Sequence, residues 1–152
     1  MLNIFKTQYW VDLKMVDEDL MNKLKEMREK GASKPSDTLL MYEFVKQVAA
    51  EDEDLKEELE DIDEMVVQLV VTDQDYKYYI TMGEGNFDYA EGEAEDPSVT
   101  MSATAATWAG LASGELDSTS AYMSGDLVID GNLQDAIAYG EILAMAMEHF
   151  GD

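Results

Sequence analysis

The sequence predicts an α+β protein: helices through the first half, strands through most of the second, and a helix to finish. Three observations carry this. Apolar residues recur at steps of three and four up to Ile62, then run together or alternate from Met65, and return to helical spacing after Asn132. The length of 152 residues fits a single domain, residues 1–152, with a helical N-terminal region (1–64) and a sheet, short helix and C-terminal helix in 65–152.

In Trp10–Lys30 the residues Leu13, Val16, Leu20, Leu24 and Met27 form one helical stripe, with Gly31 placed to end it. Residues 32–37 connect, and Ser36 or Asp37 caps a second helix through Leu40, Phe44, Val45 and Val48. An acidic third helix turns Leu55, Leu59 and Ile62 inward. The starts of the first and third helices echo each other: Asp17-Glu18-Asp19-Leu20 against Asp52-Glu53-Asp54-Leu55, with Trp10-Val11 and Phe44-Val45 preceding them. Acids favour the positive end of a helix dipole, which accounts for the echo more simply than a duplication does.

Met65–Val71 is a β-branched run suited to a buried strand. Tyr76, Tyr78, Ile80 and Met82 alternate with Lys77, Tyr79 and Thr81, the period of a half-buried strand. Gly83-Glu84-Gly85-Asn86 turns the chain, and Phe87 and Tyr89 begin the partner strand. Val99, Met101 and Ala103 alternate again. A short helix around Ala105–Ala112 ends at Gly114, and Tyr122–Asp130 reads as the last strand. Asn132, with Asp135 three residues on, caps a final helix running to about His149.

Composition narrows the function. Without cysteine there are no disulfides, no thiolate catalysis and no Cys-based metal site. No apolar run reaches the roughly 18 residues of a membrane helix, and Met1-Leu2-Asn3-Ile4-Phe5-Lys6 has no secretion signal, so the expected location is the cytoplasm. Against 34 Asp and Glu stand 10 Lys and Arg, a formal net charge of −24, and no basic residue follows Lys77. Such a chain offers a polyphosphate no groove, which argues against nucleic acid, and anionic membrane surfaces repel it. Solubility, or adaptation to a salty cytosol, accounts for the acidity without a specific partner.

The final helix is the odd element. Leu133, Ile137, Leu143 and Met147 supply the expected core stripe, yet Ile142, Met145 and several alanines extend the apolar surface around it. Such a helix is covered by protein on more than one side, pairs with a second copy, or faces an apolar guest. Among 11 methionines, Met82, Met101, Met123, Met145 and Met147 fall in the sheet and last helix, where flexible thioethers suit either gap-filling or an adaptable cavity.

A longer pattern favours the guest. Val99-Thr100-Met101-Ser102-Ala103-Thr104-Ala105-Ala106-Thr107-Trp108 leads into Leu111-Ala112-Ser113-Gly114-Glu115-Leu116-Asp117 and then Ser120-Ala121-Tyr122-Met123-Ser124-Gly125-Asp126-Leu127-Val128-Ile129-Asp130-Gly131-Asn132. Over Met65 to Phe150 this resembles the sterol carrier protein family of nonspecific lipid-transfer type. The resemblance implies a five-stranded, mostly antiparallel sheet covered by helices, with an apolar tunnel for sterols, fatty acids or acyl chains between them. It implies that Tyr78, Ile80, Met82, Phe87, Met101, Trp108, Leu111, Leu127, Ile129, Ile142 and Met145 line that tunnel. Asp126 stands where family members often carry Lys, so stable membrane association is not expected. The acidic N-terminal region is longer than the family's usual first helix, and either Trp10-Val11 or Phe44-Val45 is its counterpart.

Catalytic motifs are wanting. The single histidine, His149, sits near a helix end, where it serves as favourable charge better than as a general base. No Gly-x-Ser-x-Gly elbow occurs. Asp52–Glu64 lacks the alternating ligands and central Gly of a calcium loop, and Asp73-Gln74-Asp75 is broken by Tyr76-Lys77-Tyr78. Glu115 and Asp117 have no substrate pocket to serve, and Gly83-x-Gly85 is no dinucleotide motif. The expectation is a non-enzymatic carrier without metal or cofactor; the alternative is an interaction module docking or dimerising through its last helix.

Overall fold

Met65–Val71 becomes the middle strand of the sheet, and the rest of the chain is arranged about it. The computed structural model describes residues 17–30, 35–113 and 115–148. Helix α1 is Glu18–Lys30; a 3-10 turn, Pro35–Asp37, leads into α2, Thr38–Glu51, followed by α3, Glu53–Glu60. Strands β1 (Met65–Val71), β2 (Tyr76–Gly83), β3 (Asn86–Glu91) and β4 (Val99–Ala103) come next. Helices α4 (Ala105–Ser113) and α5 (Ser118–Ser124), strand β5 (Val128–Gly131) and helix α6 (Leu133–Met147) complete it. The five strands lie in the order β3-β2-β1-β4-β5, antiparallel throughout except for the parallel pair β1/β4. This is the α+β architecture expected.

The local causes are readable. Asp52 ends α2 with its amide on the Val48 carbonyl, while its own carboxylate accepts from the Leu55 amide at 3.0 Å and opens α3. One residue therefore sets the corner between two helices. Leu20 and Leu24 on α1, Phe44, Val45 and Val48 on α2, and Leu55 and Leu59 on α3 are buried at helical spacing. The Asp17 amide donates to Gln47 at 2.7 Å, tying the start of α1 to α2. Asn132 caps α6, accepting from the Asp135 amide at 3.2 Å.

Register lines the inward side chains up in rows, because residues directly opposite share a face. One row crosses all five strands as Glu91, Tyr78, Leu69, Met101 and Ile129. The next is Tyr89, Ile80, Val67, Val99 and Gly131, and a third holds Phe87, Met82 and Met65. Over this face lie α2 against β3, α3 against β2 and β3, and α6 against β1, β4 and β5. On the opposite face Gln68 is the one buried polar side chain among the described residues.

Two expectations need correction. Residues 122–124 are not the start of the last strand. They belong to α5, which Asp117 opens by accepting from the Ser120 amide at 3.0 Å and Gly125 closes in the left-handed region, at φ 89°. Only Val128–Gly131 is strand, because helix caps at both ends of 117–125 outweigh an apolar alternation too short to hold a ladder. The core stripe of α6 is also rotated from the one expected. Ala136, Tyr139, Ile142 and Ala146 are buried, whereas Leu133 and Ile137 are about half exposed and Leu143 and Met147 only partly covered. Two alanines on the inner side let this helix lie close to the sheet. Trp10–Val16, Gly31, Gly114 and His149 lie outside the described residues.

Candidate functional site: the covered face of the sheet

The residues expected to face a ligand are brought together. Tyr78, Ile80, Met82, Phe87, Met101, Leu127 and Ile142 are buried, and Trp108, Leu111, Ile129 and Met145 pack partly buried against them in one apolar cluster. Strand register explains much of this. Tyr78, Met101 and Ile129 share a row, Ile80 lies in the next, and Met82 and Phe87 are direct neighbours in the third. Ile142 reaches the cluster from the inner side of α6. Trp108 is fixed by its indole, whose Nε1–H donates to the Val70 carbonyl at 3.0 Å. Its helix is anchored in turn by Asp73, in the β1–β2 turn, which accepts from the Ala105 amide at 2.9 Å. That carboxylate, considered above as part of a broken calcium loop, is a helix cap.

A polar feature inside this apolar cluster escaped the sequence reading. Tyr42 on α2, Tyr78 on β2 and Tyr139 on α6 turn their hydroxyls toward one another. The Tyr42 oxygen lies 3.2 Å from that of Tyr78 and 2.5 Å from that of Tyr139. All three residues are buried, and the Tyr42 and Tyr78 rings stand 5.3 Å apart at a tilt. Burial is the main cause that pushes each phenol well above its ordinary pKa, although the hydrogen bond with Tyr78 at Tyr42, and that with Tyr42 at Tyr139, works the other way. The three are therefore neutral hydrogen-bonding groups. The available signal was a tyrosine on the apolar stripe of each of two helices: Tyr42 three residues before Val45, and Tyr139 three after Ala136.

Around the rim, charge and phenol alternate. Tyr89 donates to Glu43 at 2.5 Å and Lys46 meets Asp88 at 3.2 Å, both clasping α2 to β3. Tyr76 donates to Glu91 at 2.7 Å, and Lys77 pairs with Glu93 at 3.0 Å. These pairs are exposed or half-exposed, and each is worth little to stability. The other end of the sheet is apolar instead. Leu116, Tyr122, Met123, Val128, Leu133 and Ile137, all between residues 116 and 137, are the exposed large apolar side chains among the described residues. Among the described residues no three Asp, Glu or His side chains gather to hold a metal. No helix among them is long and apolar enough to cross a membrane.

A helix-covered, five-stranded sheet with a single parallel central pair and a closing apolar helix defines a sterol-carrier type of domain. The family model of the SCP-2 sterol transfer family matches residues 45–144, two thirds of the sequence, and the chain belongs to that family. The match opens at Val45 inside α2, on the Phe44-Val45 side of the two candidates for the family's first helix. Solved structures share the fold. A UbiJ-SCP2 ubiquinone synthesis protein is 20% identical with a TM-score of 0.57, over 72% of this chain and 87% of its own. The sterol carrier protein domain 2 of Helicoverpa armigera is 19% identical with a TM-score of 0.56, over 77% of this chain and 94% of its own. The inverting sec-alkylsulfatase Pisa1 from Pseudomonas sp. is 21% identical with a TM-score of 0.51 over 65% of this chain. The chain spans 15% of that enzyme's length, and 12% of the length of a PisA1 double mutant. No curated protein matches the chain as a sequence.

Proposed function

We propose that the chain is one carrier domain, residues 1–152, that holds an apolar lipid-like molecule (a fatty acid, acyl chain, sterol or isoprenoid) in the cytoplasm and performs no covalent chemistry on it. The observation that carries the reading is the apolar cluster between the sheet face and the helices that cover it, most of which lies within the stretch that matches the family. Tyr78, Ile80, Met82, Phe87, Met101, Trp108, Leu111, Leu127, Ile129, Ile142 and Met145 are the proposed lining. Accommodation falls to the methionines. Met65, Met82 and Met101 are buried in the sheet rows, and Met145 and Met147 pack beside them from α6. Unbranched thioethers change rotamer at little cost and can yield space to a guest.

The energetics suit a shuttle. Burying about 400 Å² of ligand at about 25 cal/mol per Å² gives roughly 10 kcal/mol gross. Association costs of at least about 4 kcal/mol leave roughly 6, an affinity of tens of micromolar. Native mass spectrometry of the protein purified from cells, followed by organic extraction, tests the reading. A non-covalent adduct that extracts as a lipid supports it. A bare protein that takes up neither a fluorescent sterol nor a fluorescent fatty acid overturns it.

One observation favours a second reading. Leu133 and Ile137, at 45% and 49% exposure, form an apolar strip on the outer side of α6. An interaction module would dock a partner, or a second copy, there. Monomeric behaviour unchanged by Leu133→Glu and Ile137→Glu excludes the second copy.

A further inference from the structure

The three buried phenols raise a question of hydrogen-bond supply. Tyr78, Tyr42 and Tyr139 form an open chain with Tyr42 in the middle. Three hydroxyls bring three protons, and two hydrogen bonds use two of them. Whichever way the bonds run, one O–H remains without an acceptor among the described atoms, and the two end hydroxyls keep spare lone pairs. In a dry interior an unused donor is costly, so such a group calls for an oxygen. The chain also joins α2, β2 and α6, the elements that must part to admit a guest beneath the last helix. Its three residues belong to the same buried apolar cluster as Ile80, Met82 and Ile142.

We infer that the Tyr42–Tyr78–Tyr139 hydroxyls form the head-group anchor of the carrier, selecting a neutral lipid bearing a single hydroxyl or carbonyl oxygen over a lipid carboxylate. The inference rests on the carrier reading and adds selectivity to it. An alcohol fits both sides of the count: its oxygen accepts the spare phenol proton, and its own proton goes to a free lone pair at the other end of the chain. A ketone satisfies the first half. A carboxylate could also accept the proton, but its charge would be stranded. Apart from the phenols, Gln68, which is neutral, is the only buried polar or charged side chain among the described residues, so none of their lysines or arginines is buried beside the phenols. No basic residue follows Lys77, and the net charge of −24 opposes a further anion.

The test uses the full chain with two probes read by fluorescence at neutral pH: dehydroergosterol, which carries one hydroxyl, and parinarate, a carboxylate. The expected result is tighter binding of dehydroergosterol. Tyr139→Phe and Tyr78→Phe each weaken it about two- to tenfold, the change one ordinary hydrogen bond carries. The ratio of dehydroergosterol to parinarate affinity falls by that factor in both variants, and Tyr79→Phe, on the opposite face of the sheet, changes neither probe. A wild-type measurement stands independently of how the variants fold. The carbonyl stretch of bound cholestenone should fall below its position in hexane. Binding of both probes with no response to the tyrosine variants, or an unshifted carbonyl, overturns the anchor and leaves the carrier intact. Failure of wild-type protein to bind either probe overturns both.

Discussion

Gln68 and Ala94 are joined across the outer face of the sheet, the Ala94 amide donating to Gln68 Oε1 at 2.7 Å. The same side chain donates through Nε2 to the Tyr78 carbonyl at 2.9 Å and the Gly92 carbonyl at 3.1 Å. One glutamine in the central strand thus stitches the loop after β3 down over β1 and β2. Gln68→Leu keeps the volume and leaves partly buried backbone groups without partners, so it should cost roughly 1–3 kcal/mol. Urea unfolding reads this as a lower midpoint at unchanged slope. A midpoint equal to that of the parent protein would show that the loop finds other partners.

Helix α6 supplies a contrast on a single element. Ile142 is 2% exposed, so Ile142→Glu places an unpaired carboxylate in the core and should cost about 4 kcal/mol or more. Leu133→Glu and Ile137→Glu, on the exposed side, should stay within about 0.5 kcal/mol. Thermal unfolding of the three variants checks the orientation of the helix. Equal losses would contradict the stripe described here.

Gly131 ends β5 with φ at 117°, and a Cβ there would stand 2.6 Å from the Ser98 carbonyl oxygen. The following residue, Asn132, donates its amide to that same oxygen at 2.8 Å, so neither strand can retreat without losing the bond that leads into α6. Gly131→Ala should destabilise by about 1–3 kcal/mol through the backbone conformation alone, more with the clash. Differential scanning calorimetry would register it as a lower melting temperature.

Alkaline pH tests the phenols. Tyr89 is pushed up to about 12, by burial first and then by its hydrogen bond to Glu43. A phenol raised in the folded state ionises first in the unfolded chain, near its ordinary value of about 10. Its stabilising contribution is therefore complete below about pH 10 and lost as pH rises through about 12. Tyr42, Tyr78 and Tyr139, raised by burial, act in the same direction. Stability should fall steeply above pH 10, and Tyr89→Phe should flatten that fall. A profile level from pH 9 to 11 would refute the assignment.

What could be read from the sequence followed from local periodicity. β1 and β4 were placed to the residue, since Met65–Val71 and Val99–Ala103 carry uninterrupted or alternating apolar side chains. The α2–α3 corner was legible in Asp52, and the start of α6 in Asn132. Residues 117–125 were misread although their caps were visible: Asp117 with Ser120 three residues on, and Gly125 at the end. An apolar alternation from Tyr122 to Ile129 was given more weight than those caps. The rotation of α6 was missed for a different reason. Alanines carry little hydropathy, so Ala136 and Ala146 did not mark the inner side, while Leu133 and Ile137 marked the wrong one. The tyrosine chain was beyond local reading altogether, because its members meet across 36 and 97 residues.

The parallel pairing of β1 with β4 divides the sheet into a three-stranded meander of β1, β2 and β3 and the pair β4–β5, whose strands are separated by α4 and α5. The meander forms from neighbouring chain, whereas β4 meets β1, and β5 meets β4, only across roughly thirty residues each, late and slow steps for any folding chain. Amide hydrogen exchange should therefore show β4 and β5 opening together as a unit while the meander stays protected, with the seam between Leu69 and Met101 as the line of parting.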